Sequence, residues 1–203
     1  MSPRKAAALR DRDDGRSLRE HLIATAAQLI AAQPTAGLTV RGIARTAGVA
    51  DGVLYNHFAD KEELLAAALH AHVRAVAAAL GELPDAGTGD VAANLRAYLA
   101  YGLALHRGIL PAFAGFLGQP AVLARFAELG GDGDEWRDRL AGYLGAERDL
   151  GRLAADAPLD SAVATIVGVC HEAVFSALLP HGDPAPVPSV DSLVAVVLDG
   201  IGA

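Results

Sequence analysis

The sequence has a single cysteine, Cys170, and its lysines are confined to Lys5 and Lys61. One thiol excludes an internal disulfide framework and any multi-cysteine zinc site. Nearly all the basic charge is therefore arginine, which reads as a trait of genome composition. Long apolar runs are also missing. The charge-free apolar stretches near Ser161–Cys170 and Ala173–Pro180 fall short of the roughly 18–20 apolar residues of a spanning helix. The first twenty residues carry charges of both signs and no apolar core, so no secretory signal is expected. Alternating strand patterns of useful length and internal repeats are absent too. A soluble, cytoplasmic protein is the expectation.

What is present points to helix. The chain has 203 residues, 52 % hydrophobic and 20 % charged, enough apolar surface for a packed core and unlike a disordered chain. Much of the apolar content is alanine, a strong helix former. The net charge of -7 is unevenly placed. Residues 1–63 hold nine Lys/Arg against eight Asp/Glu, and the remainder holds eight against sixteen. A basic patch on a small N-terminal domain attached to an acidic body is compatible with nucleic-acid binding. In the tail, Arg4, Lys5, Arg10, Arg12 and Arg16 alternate with Asp11, Asp13 and Asp14, which fits a flexible arm over 1–16.

Periodicity predicts about nine helices. Ser17 and Glu20 have capping-box spacing, and Leu22, Ile23, Ala26, Ala27 and Ile30 follow at helical intervals until Pro34 and Gly37. Thr39 is placed to cap Val40–Ala47, Gly48 permits a turn, and a third helix is expected over Asp51–His57. Asp60, with Glu63 three residues on, starts a fourth helix that is expected to reach Leu83, about 33 Å at about 1.5 Å per residue. After a Pro84–Asp90 loop come Val91–His106, a break at Gly108 and Pro111, then Ala112–Leu117 and Pro120–Leu129. Beyond the Gly130–Gly133 turn, Glu135–Gly151 and an apolar helix from Asp160 to Leu179 are expected. A proline-rich segment, His181–Pro188, leads to a last helix capped by Ser189.

Two short helices joined by a glycine-containing turn have the arrangement of a helix-turn-helix. Ile43, Ala47, Val49 and Leu54 supply the apolar contacts that fix their angle, and small Ala44 allows close approach. Here the chain resembles a known family. Residues Leu18–Leu65, and above all Leu54-Tyr55-Asn56-His57-Phe58 with Lys61, Glu62 and Leu64, are similar to the DNA-binding signature of the TetR/AcrR family of transcriptional regulators. The resemblance implies an all-α protein: a three-helix DNA-binding domain over 17–62 and a helical bundle over 63–203 for ligand sensing and dimerisation. It further implies a homodimer that places two recognition helices in the major groove of a near-palindromic operator, about 34–36 Å apart.

Roles follow for individual residues. Thr39, Tyr55, His57 and Lys61 are expected at phosphates, and Arg41 at a phosphate or a guanine edge. Asp51, Gly52, Val53 and Asn56 are expected to face the bases, with Val53 near a thymine methyl. Two positions depart from the family pattern. Ala50 and Val53 stand where a hydroxyl is common, and Asp51 puts a negative charge at the groove-facing end. Asp51 either accepts from cytosine N4 or caps the recognition helix, and the cap is the favoured alternative. Phe58 is expected in the core; Tyr55 belongs to the core or to the phosphate contacts.

The apolar helices over 160–179 and 189–201 need burial on nearly every face, which pairing with a second copy supplies and burial within one subunit supplies alternatively. Large side chains scattered among alanines are candidate lining for an apolar effector site: Tyr98, Tyr101, His106, Phe113, Phe116, Trp136, Tyr143, His171 and Phe175. For any single one of them core filler is the favoured reading. Enzyme chemistry finds no support. Cys170 and His171 are adjacent on a helix and do not face each other, His70 and His72 lie on different faces, and no strand carries a phosphate-binding glycine loop. No cofactor or metal is expected. The expected function is a ligand-responsive repressor, released from its operator by a small apolar effector. The alternatives are a DNA-binding regulator without such an effector and a helical interaction module that has lost DNA binding.

Overall fold

The computed structural model describes residues 18–32, 38–130, 136–178 and 188–201. Among these residues there are nine helices and no strand: α1 (Leu18–Ala32), α2 (Val40–Ala47), α3 (Asp51–Leu54), α4 (Lys61–Ala79), α5 (Val91–Phe116), α6 (Pro120–Leu129), α7 (Trp136–Asp149), α8 (Leu159–Leu178) and α9 (Val190–Ile201). The all-α class is as expected. The arm at 1–16, the Ser17 cap, the stops at Pro34 and Gly37, the turn at 131–133 and the proline-rich segment up to residue 187 lie outside the described residues.

Three helices differ from their expected spans. α3 stops at Leu54 rather than His57. α4 ends at Ala79 rather than Leu83, because Gly81 adopts a left-handed φ of 80° and Pro84 disfavours helix at the residue before it. α5 is continuous from Val91 to Phe116 and carries Pro111 inside it. Proline removes one backbone hydrogen bond there, and buried side chains hold the helix on either side of it, His106 before and Ala112 and Phe116 after.

By packing, the chain divides into two units, Met1–Val76 with Pro111–Gly131, and Ala77–Leu110 with Asp132–Ala203. The division falls inside α4 and α5, and the first turns of α4 share the core of the helix-turn-helix. That core contains Leu22, Ala26 and Ile30 of α1, Ile43, Ala44 and Ala47 of α2, Leu54, Phe58, and Leu64, Leu65 and Leu69 of α4, joined by Ala112, Phe116 and Val122. The positions 22, 26 and 30 recur every four residues, so one stripe of α1 faces inward. Thr25 is buried among them and stays satisfied by donating its hydroxyl to the His21 carbonyl at 2.8 Å.

The second unit is built on Leu95, Leu99 and Leu103 of α5, Leu140, Tyr143 and Leu144 of α7, and a stripe of α8 (Ala162, Val163, Ile166, Val167, Cys170, Ala173, Val174). By length and composition α8 is apolar enough to cross a membrane; the burial of that stripe is what a core helix of the same composition shows. α9 contributes Val194 and Val197 to the core and leaves Val196 67 % exposed.

A buried carboxylate pins the loop between α4 and α5. Glu147 is 0 % exposed. It accepts from the Gly87 N–H at 3.3 Å and pairs with Arg152 Nη1 at 3.3 Å. Arg152 also donates to the Gly89 carbonyl at 2.7 Å, and Asn94 Nδ2 donates to the Thr88 carbonyl at 2.8 Å. The acid is affordable in the interior because a cation and a backbone donor share its charge.

Candidate nucleic-acid interface

The turn between α2 and α3 is set by two caps. Thr39 has extended backbone, and its Oγ1 accepts from the Gly42 N–H at 3.0 Å. This satisfies one of the four N–H groups that a helix start leaves open. At the other end Gly48 takes a left-handed φ of 71°. The Val49 N–H donates to the Ala44 carbonyl at 3.0 Å and the Gly48 N–H to the Arg45 carbonyl at 3.3 Å, the paired bonds of a Schellman motif. A side chain at 48 would be strained by the backbone conformation alone.

α3 is one turn long. Its N-cap is Ala50, which offers no side-chain acceptor, and Gly52 in its middle weakens helix further. The chain leaves through tight bonds, Asn56 N–H to the Val53 carbonyl at 3.2 Å and His57 N–H to the Leu54 carbonyl at 3.0 Å. Asp51 is therefore not the cap that was favoured. It occupies the first helical position, and its Oδ2 lies 3.3 Å from Arg41 Nε.

Burial sorts this segment. Leu54 and Phe58 enter the core, while Tyr55 is 60 % exposed and so is not a core aromatic. Thr39, Arg41, Asp51, Gly52 and Asn56 are exposed, and Val53, His57 and Lys61 are half-buried. The whole set of candidate DNA contacts is thus presented at the surface around a turn whose backbone is fixed from below.

The start of α4 is held from three sides. Asp60 Oδ1 accepts from the Glu63 N–H at 2.8 Å, and Glu63 Oε2 accepts from the Ala59 N–H at 2.7 Å. This is a reciprocal cap of the kind the Asp60–Glu63 spacing suggested. Two arginines complete it. Arg19 of α1 donates to Glu63 Oε1 at 2.9 Å and lies over the Phe58 ring at 4.9 Å. Arg125 of α6 donates to Asp60 Oδ2 at 2.6 Å. The Ala59 N–H, more than the Arg19 guanidinium, holds the Glu63 carboxyl below the ordinary carboxylate range. Sequence reasoning named neither arginine, because their partners lie 44 and 65 residues away and no local spacing marks them.

The candidate effector residues do not gather as one group. Phe116 belongs to the N-terminal core, and Phe113 packs edge-on against Phe126 with ring centres 5.0 Å apart. In the second unit Tyr98 and Tyr143 stack at 4.5 Å. The Tyr98 hydroxyl donates to the Pro84 carbonyl and the Tyr101 hydroxyl to the Ala77 carbonyl, each at 3.4 Å. Burial raises the Tyr98 and Tyr143 phenols above their usual range. The remaining four, Trp136, His106, His171 and Phe175, form a column of edge-to-face rings with successive centres at 5.2, 4.7 and 6.3 Å. Cys170 is buried beside them, its thiol pushed up to about 12 by that burial, far from the thiolate a nucleophile needs. Among the described residues no cluster of three His, Cys, Asp or Glu is placed to hold a metal ion.

Residues 22–68 match the family model of the bacterial regulatory proteins of the tetR family. The chain is similar to that family over this N-terminal segment. The fold of the whole chain is shared with solved structures at low identity. FadR from Bacillus subtilis, in complex with stearoyl-CoA, is 19 % identical, with a TM-score of 0.60 over 90 % of this chain and 98 % of that one. A transcriptional regulator from Rhodococcus sp. Rha1 is 22 % identical, with a TM-score of 0.64 over 92 % and 99 %. A regulator from Saccharomonospora viridis, in complex with choline, is 18 % identical, with a TM-score of 0.61 over 91 % and 97 %. No curated protein matches the chain in sequence. The TetR-family match covers α1 to α3 and the first turns of α4, the segment whose surface and caps are described above.

Proposed function

We propose that the protein is a cytoplasmic repressor that binds a near-palindromic operator as a homodimer and releases it when a small apolar effector occupies the body. The observation that carries the DNA-binding part is the sorting of residues 39–61, in which Leu54 and Phe58 are buried while the polar side chains between Thr39 and Lys61 stay accessible. Thr39 serves twice. Its oxygen accepts from Gly42, which leaves the hydroxyl proton free for a phosphate oxygen. Tyr55, His57 and Lys61 take further phosphates. Arg41, Asp51, Gly52, Val53 and Asn56 form the base-facing side.

The reading domain is 17–62, and 63–203 senses the effector and dimerises. Support for the second role is the outer surface of the last two helices. Phe175, Leu178 and Val196 are exposed there, and a second copy would cover them. The sensor role is supported by two proteins of the same fold that hold a ligand, stearoyl-CoA in one and choline in the other. Because α4 starts in the DNA-binding unit and continues into the other, a small tilt of it would alter the spacing of two recognition helices. An effector acts only through its different affinity for the two arrangements, typically worth about 1–3 kcal/mol.

The test is a titration of the dimer with a duplex library at rising salt. Affinity should fall steeply, with a log–log slope of about -0.9 for each phosphate neutralised. A flat response would favour the helical interaction module instead, for which the Asp51 carboxylate on the base-facing side is the specific motive.

A further inference from the structure

The column Trp136–His106–His171–Phe175 contains a buried hydrogen-bond donor that the protein leaves without a partner. Trp136 is 5 % exposed, and its indole Nε1–H is buried without an acceptor. An indole N–H can only donate, and a buried donor without a partner is costly. His106 is also buried, and its Nδ1 lies 2.6 Å from the Gly102 carbonyl. A carbonyl only accepts, so Nδ1 carries the proton and Nε2 is a bare acceptor. Burial lowers the pKa of His106, which favours the neutral ring.

The backbone is shaped for this arrangement. Gly102 lies against the indole, and a Cβ at that position would overlap the Trp136 ring. The indole is thereby locked beside the helical turn that carries His106, with the two ring centres 5.2 Å apart and nearly perpendicular. The column leads outward through half-buried His171 to exposed Phe175.

We propose that this column is the effector-recognition point of the second unit, and that it selects an uncharged apolar molecule through a single hydroxyl group that accepts from Trp136 Nε1 and donates to His106 Nε2. The inference rests on the reading of that unit as a sensor, and it names the effector class. A ketone or ester satisfies only the indole. A carboxylate is disfavoured because none of the four rings carries a fixed positive charge, and a buried charge without a partner is expensive. An amine brings a charge of its own.

Trp136 is the only tryptophan in the chain, so its fluorescence reports this point alone. The probes are 1-decanol and decanoate, titrated into the full-length protein at pH 8, where imidazole is ordinarily neutral. The expected result is a saturable emission shift with decanol at a concentration at least tenfold below that needed for decanoate. Trp136→Phe, followed by calorimetry, should bind decanol about tenfold more weakly. Its melting temperature should be unchanged or higher, because the stranded donor is gone. Equal or tighter binding of decanoate overturns the proposal, as does failure of decanol to bind or undiminished decanol binding by Trp136→Phe. Duplex binding measured on the same samples separates the two levels. If salt-sensitive duplex binding persists while decanol fails, the effector class is wrong and the regulator stands. If duplex binding fails, the regulator itself is wrong.

Discussion

Arg41 Nε lies 3.3 Å from Asp51 Oδ2, and the Arg41 side chain is 90 % exposed. An ion pair this open adds little stability. Its effect is on orientation. With Nε facing the carboxylate, the two terminal amino groups of the guanidinium remain as a fork, the geometry that meets guanine O6 and N7 together. On the proposed reading, the negative charge that departs from the family pattern would aim its neighbour as well as repel the duplex.

The consequence can be read by selecting binding sites from random duplexes. The selected sites should contain a guanine that Arg41→Lys no longer specifies, a loss of about 1–3 kcal/mol in discrimination at one position. Asp51→Ala should blur the same position while tightening binding to unrelated duplexes, because one repulsive charge is gone. An unchanged preference in both variants would show that the pair does not face a base.

At Thr39 the cap and the proposed phosphate contact can be separated within a single residue. Thr39→Ala should cost about 1 kcal/mol of stability through the lost cap and weaken binding to all duplexes alike. Thr39→Asp keeps an acceptor for the Gly42 N–H but presents a carboxylate to the phosphate. Its thermal stability should stay near that of the parent while duplex affinity falls further than in the alanine variant. Equal affinities for the two would leave Thr39 a cap only.

The pH dependence of stability at the start of α4 follows from Glu63. Its folded-state pKa is depressed by the Ala59 N–H first and by Arg19 second, from an ordinary value of 4.5. A depressed carboxyl contributes stability above its unfolded value and loses it as pH falls through the folded value. Denaturation of the parent between pH 7 and pH 3 should therefore show a loss beginning near pH 4.5 that Glu63→Gln lacks. Arg19→Ala should leave part of that loss in place, since the Ala59 backbone donor is the largest single cause.

The legible parts of this fold are the ones set by near neighbours. Thr39, Gly48 and Asp60 act within six residues of their partners, so the spacing alone placed both caps and the turn. Spacing predicts helix through Tyr55, Asn56 and His57, whereas α3 ends at Leu54 because a tight turn already brings the apolar anchors Leu54 and Phe58 into the core. Pro111 suggested a break, yet buried side chains on both flanks carry α5 through it. The nine candidate effector residues look alike in sequence. Only tertiary packing sends Phe113 and Phe116 to the N-terminal unit and lines up Trp136, His106, His171 and Phe175 in the other.

Val196 provides the sharpest check on dimerisation. It is 67 % exposed on α9, whose Val194 and Val197 are already buried within the subunit. Because it contributes little to that core, Val196→Asp should leave the fold of one subunit intact, with a helical signal like the parent's. In a dimer that buries this face, the same change places a carboxylate against its own copy, and an unpaired buried charge is strongly unfavourable. Light scattering should then show the variant shifted to a single subunit at concentrations where the parent is a dimer. Affinity for a palindromic duplex should drop far more than affinity for a half-site, since only the coupling of two readers has been lost. A variant that stays dimeric with undiminished affinity would place the interface elsewhere.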